Sequence, residues 1–130
     1  MTRKTDRFIV NPQLLEELLY HDTSLARRMP GKRLKYVDVS LVPEADITVF
    51  VRSIMSVPSD MKSHVEPHKH DVSQIYGIIG ELTMEVMLDN EWHEVTGPAS
   101  VFIPAGMIHT VRVVRGSGHV VIILCGKEYR

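Results

Sequence analysis

Cysteine is nearly missing from this 130-residue chain, with Cys125 the only one. No intramolecular disulfide can form, and a structural zinc site built from cysteines is excluded. A reducing cytoplasm is the expected location. Net charge is nearly absent too: 15 Lys and Arg stand against 16 Asp and Glu, a formal charge of -1. No overall field therefore favours nucleic acid or anionic lipid, and neither a nucleic acid nor a membrane is expected as a partner. Long apolar runs are lacking; the longest, Val120 to Cys125, falls far short of the roughly 20 residues that span a bilayer. The basic stretch from Met1 to Val10 is not followed by the apolar segment of a signal peptide. Fixed-period repeats, low-complexity tracts, phosphate loops, Ser-His-Asp sets and metalloprotease helices are also missing. What remains is 44% hydrophobic and 24% charged, ordinary for one soluble domain able to bury its own core.

One helical pattern stands out. Asn11 can cap, Pro12 suits a first turn, and Leu14, Leu15, Leu18 and Leu19 recur at helical spacing, which predicts a helix from just past Pro12 to Tyr20. Basic residues cluster around the Pro30-Gly31 turn signal, and through Lys35 there are eight basic and four acidic residues against seven and twelve in the remainder. The favoured reading of this +4 arm is a solvated segment lying on the acidic body. Residues 1–33 thus form an N-terminal helix and basic connector, and residues 34–130 a β domain.

From Leu34 onward, β-prone runs alternate with turn residues. The runs are Leu34 to Val42, Ile47 to Ser56, Lys62 to Glu66, Gln74 to Ile79, Glu81 to Leu88, Glu91 to Val95, Ser100 to Ile103, Ile108 to Arg115 and His119 to Leu124. Leu82, Met84, Val86 and Leu88 alternate with Glu81, Thr83 and Glu85, so one face meets a core and the other water. Asp89-Asn90 fits a two-residue hairpin loop. About nine short strands must hide their edges, and an all-β jelly-roll barrel does so in one domain.

Three of the seven histidines, His64, His68 and His70, fall within seven residues. On an extended chain His68 and His70 point to one face, where two neutral imidazoles can share a divalent metal. Gln74 can offer its amide oxygen on that face, and His109, after the Pro104 and Gly106 turn, offers a third ring. Three imidazoles and one oxygen suit iron, manganese, nickel, cobalt or zinc and leave positions open for substrate. His64 is read as an exposed strand-entry residue or an outer ligand; His21, His93 and His119 are read as surface or structural.

The sequence resembles the cupin superfamily in two motifs and in their order. His68, His70, Gln74 and Gly80 match the first, with Gln74 in place of the usual Glu and one residue fewer before Gly80; Pro104, Gly106 and His109 match the second. The resemblance implies a small double-stranded β-helix barrel, a jelly-roll that binds one divalent transition metal through His68, His70, Gln74 and His109. Glu66 or a water is the alternative fourth ligand. It further implies a metal-dependent enzyme of the dioxygenase, isomerase or decarboxylase class acting on a small oxygenated or carboxylated molecule. A non-catalytic binding or sensing barrel with a docking or structural metal is the alternative, and a homodimer is implied in either case, with Tyr36, Val37, Val39, Phe50 and Val51 as candidate contacts. A dimerisation scaffold is a third reading.

Around that centre, Tyr76 should face the same way as Gln74 and is a candidate catalytic acid or substrate hydrogen-bond donor. Arg52 lies in an apolar strand: inward it would anchor a carboxylate or phosphate, although an outward, solvated arginine is the commoner arrangement. Met84, Phe102 and Met107 are candidate substrate contacts, with Trp92 a further pocket candidate. Cys125, in an apolar last strand, is read as a buried inert thiol.

Overall fold

The computed structural model describes residues 3–14, 33–55 and 67–126. Nine strands follow in chain order: β1 Gln13–Leu14, β2 Arg33–Val37, β3 Thr48–Ile54, β4 Gln74–Ile79, β5 Leu82–Leu88, β6 Glu91–Thr96, β7 Ala99–Ile103, β8 His109–Gly116 and β9 Gly118–Leu124. They pair in a six-stranded sheet of order β1-β2-β3-β9-β4-β7 and a three-stranded sheet of order β6-β5-β8. Every pairing is antiparallel. This is the all-β jelly-roll expected from the run pattern, and β4 has the bounds read from the sequence.

The core lies between the sheets because strand alternation sends every second side chain inward. Ile54, Tyr76, Ile78, Val101, Ile103 and Val120 from the large sheet meet Leu82, Met84, Val86, Val111 and Val113 from the small one. Each large side chain so buried contributes roughly 1.5–3 kcal/mol. On the opposite face of β5, Glu85 accepts a hydrogen bond from Arg112 of β8 at 2.6 Å. The loop between β5 and β6 is the two-residue turn expected at Asp89-Asn90: Leu88 pairs with Glu91, and Asp89 takes a positive φ of 58°.

Two sequence expectations change. In place of a helix beginning past Pro12, Gln13 and Leu14 pair with Lys35 and Leu34 as an edge strand; residues 15–20 lie outside the described residues. Strand pairing supplies the backbone partners there, and tertiary context overrides local helical spacing. Among the described residues the helical content is a 3-10 turn at Asp6–Phe8. The run expected to reach Val42 stops at Val37, because Asp38 captures the Ser40 amide at 2.9 Å and the Ser40 hydroxyl at 2.6 Å, a local alternative to ladder hydrogen bonds. The run at Lys62 to Glu66 also lies outside the described residues.

Two glycines test how much of the fold is backbone geometry. Gly106 (φ +83°) faces open space, whereas a Cβ on Gly116 (φ +92°) would sit 2.1 Å from the Glu81 carbonyl oxygen. Gly106→Ala should cost about 1–2 kcal/mol from the left-handed backbone alone. Gly116→Ala adds a clash and should cost about 2–5 kcal/mol. Urea denaturation of the two variants checks this ordering, and equal losses would refute it.

Candidate metal centre

Backbone pairing builds the centre. The His68 amide donates to the His109 carbonyl at 3.0 Å and the His109 amide to the His68 carbonyl at 2.8 Å, while Gly106 donates to the His70 carbonyl at 2.8 Å. These bonds fasten the His68-Lys69-His70 segment to the loop entering β8. The segment alternates as predicted: His68 and His70 are 7% and 3% exposed, and Lys69 between them faces out. Ring centroids lie 4.9 Å apart for His68 and His70, 4.5 Å for His68 and His109, and 5.2 Å for His70 and His109. One ligand nitrogen from each ring falls within 4.8 Å of the other two, a spacing that one ion can bridge.

His70 and His109 are electrostatically prepared as neutral ligands. A carbonyl only accepts, so His109 Nδ1–H donates to the Met107 carbonyl at 3.0 Å. The lone pair is thereby left on Nε2, and the ring is oriented in the manner usual for metal-bound histidine. Burial, reinforced by the neighbouring His68 and His109, pushes the His70 pKa down to about 3. His109 is also lowered, mainly by burial, against the opposing Met107 carbonyl. His109 Nε2 and both polar atoms of the Gln74 amide are buried without a hydrogen-bond partner. Such orphaned groups cost about 1–3 kcal/mol each. A divalent cation accepted by the lone pairs of His109 Nε2 and Gln74 Oε1 removes much of that cost, so these residues fit the metal the motif implies.

Gln74 is 1% exposed and opens β4 after the bend at Asp71 and Val72. Two residues on, Tyr76 shares its inward face, and the Tyr76 ring lies edge-on to His109 at 6.3 Å between centroids. Burial pushes the Tyr76 pKa up to about 12, against the lowering effects of the Gln74 amide and the Arg52 charge. The amide stands near the hydroxyl but outside hydrogen-bonding geometry. Tyr76 therefore stays protonated near neutral pH.

The other candidates separate by register. Arg52 points inward, between buried Phe50 and Ile54 on the same face of β3, which settles the two orientations open in the sequence. Phe50 is thus a core residue and not an outer-face contact. Met84 is 2% exposed in the core, and Met107 packs against that core while its carbonyl holds His109. Phe102 does not line the interior: it alternates with inward Val101 and Ile103 and is 59% exposed on the outer face. Its apolar character suggested a pocket, but odd and even positions of β7 face opposite ways. Trp92 is exposed beneath the Arg112 guanidinium, 5.9 Å from its ring. Cys125 is exposed rather than buried, because it falls one residue past the end of β9. His64 and Glu66 lie outside the described residues. An open cleft of about 380 Å³, lined by Pro67, His68, Lys69 and Ile108, reaches the outer side of His68.

Sequence reasoning missed Arg33. Assigned there to an exposed connector, it begins β2 and pairs directly with Arg52. The signal was its position one residue before the apolar run at Leu34.

Fold and site together define a class: a two-sheet jelly-roll with three histidines converging in its interior. No protein-family model matches the chain, and no curated protein matches it. Solved structures do match in shape. KdgF from Halomonas sp. aligns with a TM-score of 0.58 and 15% identity over 75% of this chain and 79% of that one. An RmlC-like cupin from Shewanella frigidimarina aligns at 0.57 with 12% identity, over 88% and 96% of the two chains. Oxalate decarboxylase from Bacillus subtilis, described with Mn(II) centres, aligns at 0.62 with 14% identity, over 78% of this chain and 27% of that enzyme. The chain has the cupin fold, as its two histidine motifs implied.

If Gln74 is a ligand, replacing its neutral amide with a carboxylate should strengthen metal binding. Gln74→Glu is expected to bind divalent metal at least tenfold more tightly than the parent, and His109→Ala to lose at least tenfold. Competition against a chromophoric chelator reads both, and unchanged or weaker affinity of Gln74→Glu would remove Gln74 from the ligand set.

Proposed function

We propose that this chain is a metal-dependent enzyme acting on a small oxygenated or carboxylated molecule, of the dioxygenase, isomerase or decarboxylase class. The observation that carries the reading is the convergence of three buried imidazoles, with ligand nitrogens within 4.8 Å of one another, on the inward face shared with Gln74 and Tyr76. His68, His70, Gln74 and His109 would hold one iron, manganese, nickel, cobalt or zinc ion. Such an ion, with positions left open, supplies Lewis acidity toward substrate oxygens. Manganese gains support from the Mn(II) centres of the oxalate decarboxylase that shares the fold.

The surrounding residues have definable tasks. Three imidazoles and an amide are all neutral ligands, so an ion they held would keep its full charge and the interior would attract an anionic substrate. Tyr76, protonated at neutral pH, donates a hydrogen bond to substrate. Ile78, Met84, Ile103 and Val111, all buried, keep bulk water from the interior, which strengthens each polar interaction there.

The neutral Gln74 also favours a second reading, a binding or sensing barrel in which a weakly held metal only docks the ligand. In both readings the protein acts as a cytoplasmic homodimer. Support for pairing comes from the outer face of the six-stranded sheet, where Val49, Ile123, Ile75 and Phe102 form one continuous apolar row across four strands. A second copy of this face is its proposed occupant. Sedimentation should give a dimer, and Ile123→Glu should shift it to monomer; a monomeric parent would refute the pairing.

Elemental analysis of protein purified without chelator or nickel resin tests the centre itself. About one equivalent of a transition metal is expected, and it should be lost in His109→Ala. A protein that carries none and takes up none of the five ions would refute the metalloprotein reading. With metal present, Tyr76→Phe should lower turnover about 10- to 1,000-fold while metal content is retained.

A further inference from the structure

Arg52 is a charge placed where charges are expensive. It sits on the inner face of β3 between Phe50 and Ile54, which are 4% and 0% exposed, and its Nε and Nη2 atoms are buried without a hydrogen-bond partner. No described carboxylate pairs with it: the described acidic groups in ion pairs, Asp6, Asp38, Glu44, Glu85 and Glu94, are held by other basic residues. Its neighbour across the strand pair is a second cation, Arg33. Burial and the Arg33 charge push the Arg52 pKa down to about 10, so it remains a cation at neutral pH. Leaving one member of a buried pair uncompensated is strongly destabilising, and a fold keeps such a group where something else compensates it.

The two orphaned donors show what that is. Nε–H and Nη2–H are the parallel pair on one edge of the guanidinium, spaced to meet both oxygens of a planar carboxylate. The register places this edge in the same interior as the metal centre. Inward residues of the large sheet form rows: Thr48, Leu124, Gln74 and Ile103 in one; Phe50, Ile122, Tyr76 and Val101 in the next; Arg52, Val120, Ile78 and Ala99 in the third. Gln74 and Arg52 are thus two rows apart, about 13 Å along the strands at the backbone, and Tyr76 lies in the row between. Arg52 and Tyr76 are close enough for the guanidinium charge to act on the hydroxyl.

We propose that Arg52, with Arg33 beside it and the Tyr76 hydroxyl on the same inner face, is a carboxylate seat on the inner wall of the barrel. It selects small molecules that carry a carboxylate at one end and a metal-binding oxygen at the other. The second half of this statement rests on the metal centre proposed above; the seat itself does not. Arg52 makes the bidentate contact, and Tyr76 donates to whichever oxygen faces the centre. A phosphate group shares the charge but not the two-oxygen planar edge.

The test is calorimetric titration of the full chain, both metal-loaded and chelator-stripped, with succinate, L-malate, succinamide and inorganic phosphate. Succinate and malate should bind, succinamide should not, and phosphate should bind more weakly than either acid. Arg52→Gln should weaken succinate binding at least about thirtyfold, and Arg52→Lys, which keeps the charge but loses the fork, should recover only part of it. His109→Ala should abolish metal uptake yet retain succinate binding in the stripped state. Arg52→Met, compared without ligand, should melt at or above the temperature of the parent, because it removes an unpaired buried charge; a structural arginine would melt lower. The seat is overturned if stripped protein binds no carboxylate, if Arg52→Gln binds succinate as the parent does, if phosphate outcompetes both acids, or if Arg52→Met melts several degrees lower. Metal content is read separately, so a parent protein that takes up no metal yet binds succinate refutes the centre and leaves the seat standing.

Discussion

Two backbone hydrogen bonds join His68 and His109, residues 41 positions apart in the chain, and the interior chemistry depends on that junction. Without it, the His68-Lys69-His70 segment has no fixed depth in the barrel, and the third imidazole has no reason to stand within reach of the other two. Backbone pairing is well suited to the task because it fixes position without consuming the side-chain atoms that must remain available as ligands. The same logic continues at His109, where a main-chain carbonyl at Met107, rather than a side chain, takes the Nδ1 proton.

The cost of this arrangement falls on the core. Among the described residues, seven polar or charged side chains are buried among the apolar ones, including the three histidines and Gln74. Thr83 and Thr96 satisfy each other at 2.7 Å, and Thr48 reaches the Gly126 carbonyl at 2.9 Å. Gln74 and Arg52 have no such partner. Buried polar groups that neighbours satisfy act as structure; those that neighbours leave unsatisfied are groups aimed at something that binds.

How much of this was legible in the sequence follows from the kind of signal each residue carries. The strand pattern was legible because alternation and turn residues are local: Gln74 to Ile79 and the Asp89-Asn90 turn could be read directly. The histidines were legible because spacing of two on an extended chain fixes a common face, and the Pro104, Gly106 and His109 pattern fixes a turn before the third ring. The predicted start of the helix after Pro12 failed because leucine spacing is compatible with two backbones, and at Gln13 and Leu14 the edge of β2 chose the strand. Phe102 and Cys125 failed for a related reason. A hydrophobic side chain says that it prefers burial, but register decides which face of a strand it occupies and where the strand ends.

The sequence by itself determined the class of fold and the three imidazoles, because both depend on period and spacing along one stretch of chain. The tertiary structure alone decided the direction of Arg52, its pairing with Arg33, and the outward turn of Phe102. Those outcomes depend on cross-strand register between segments far apart in the chain, and a slip of one residue would have reversed every one of them.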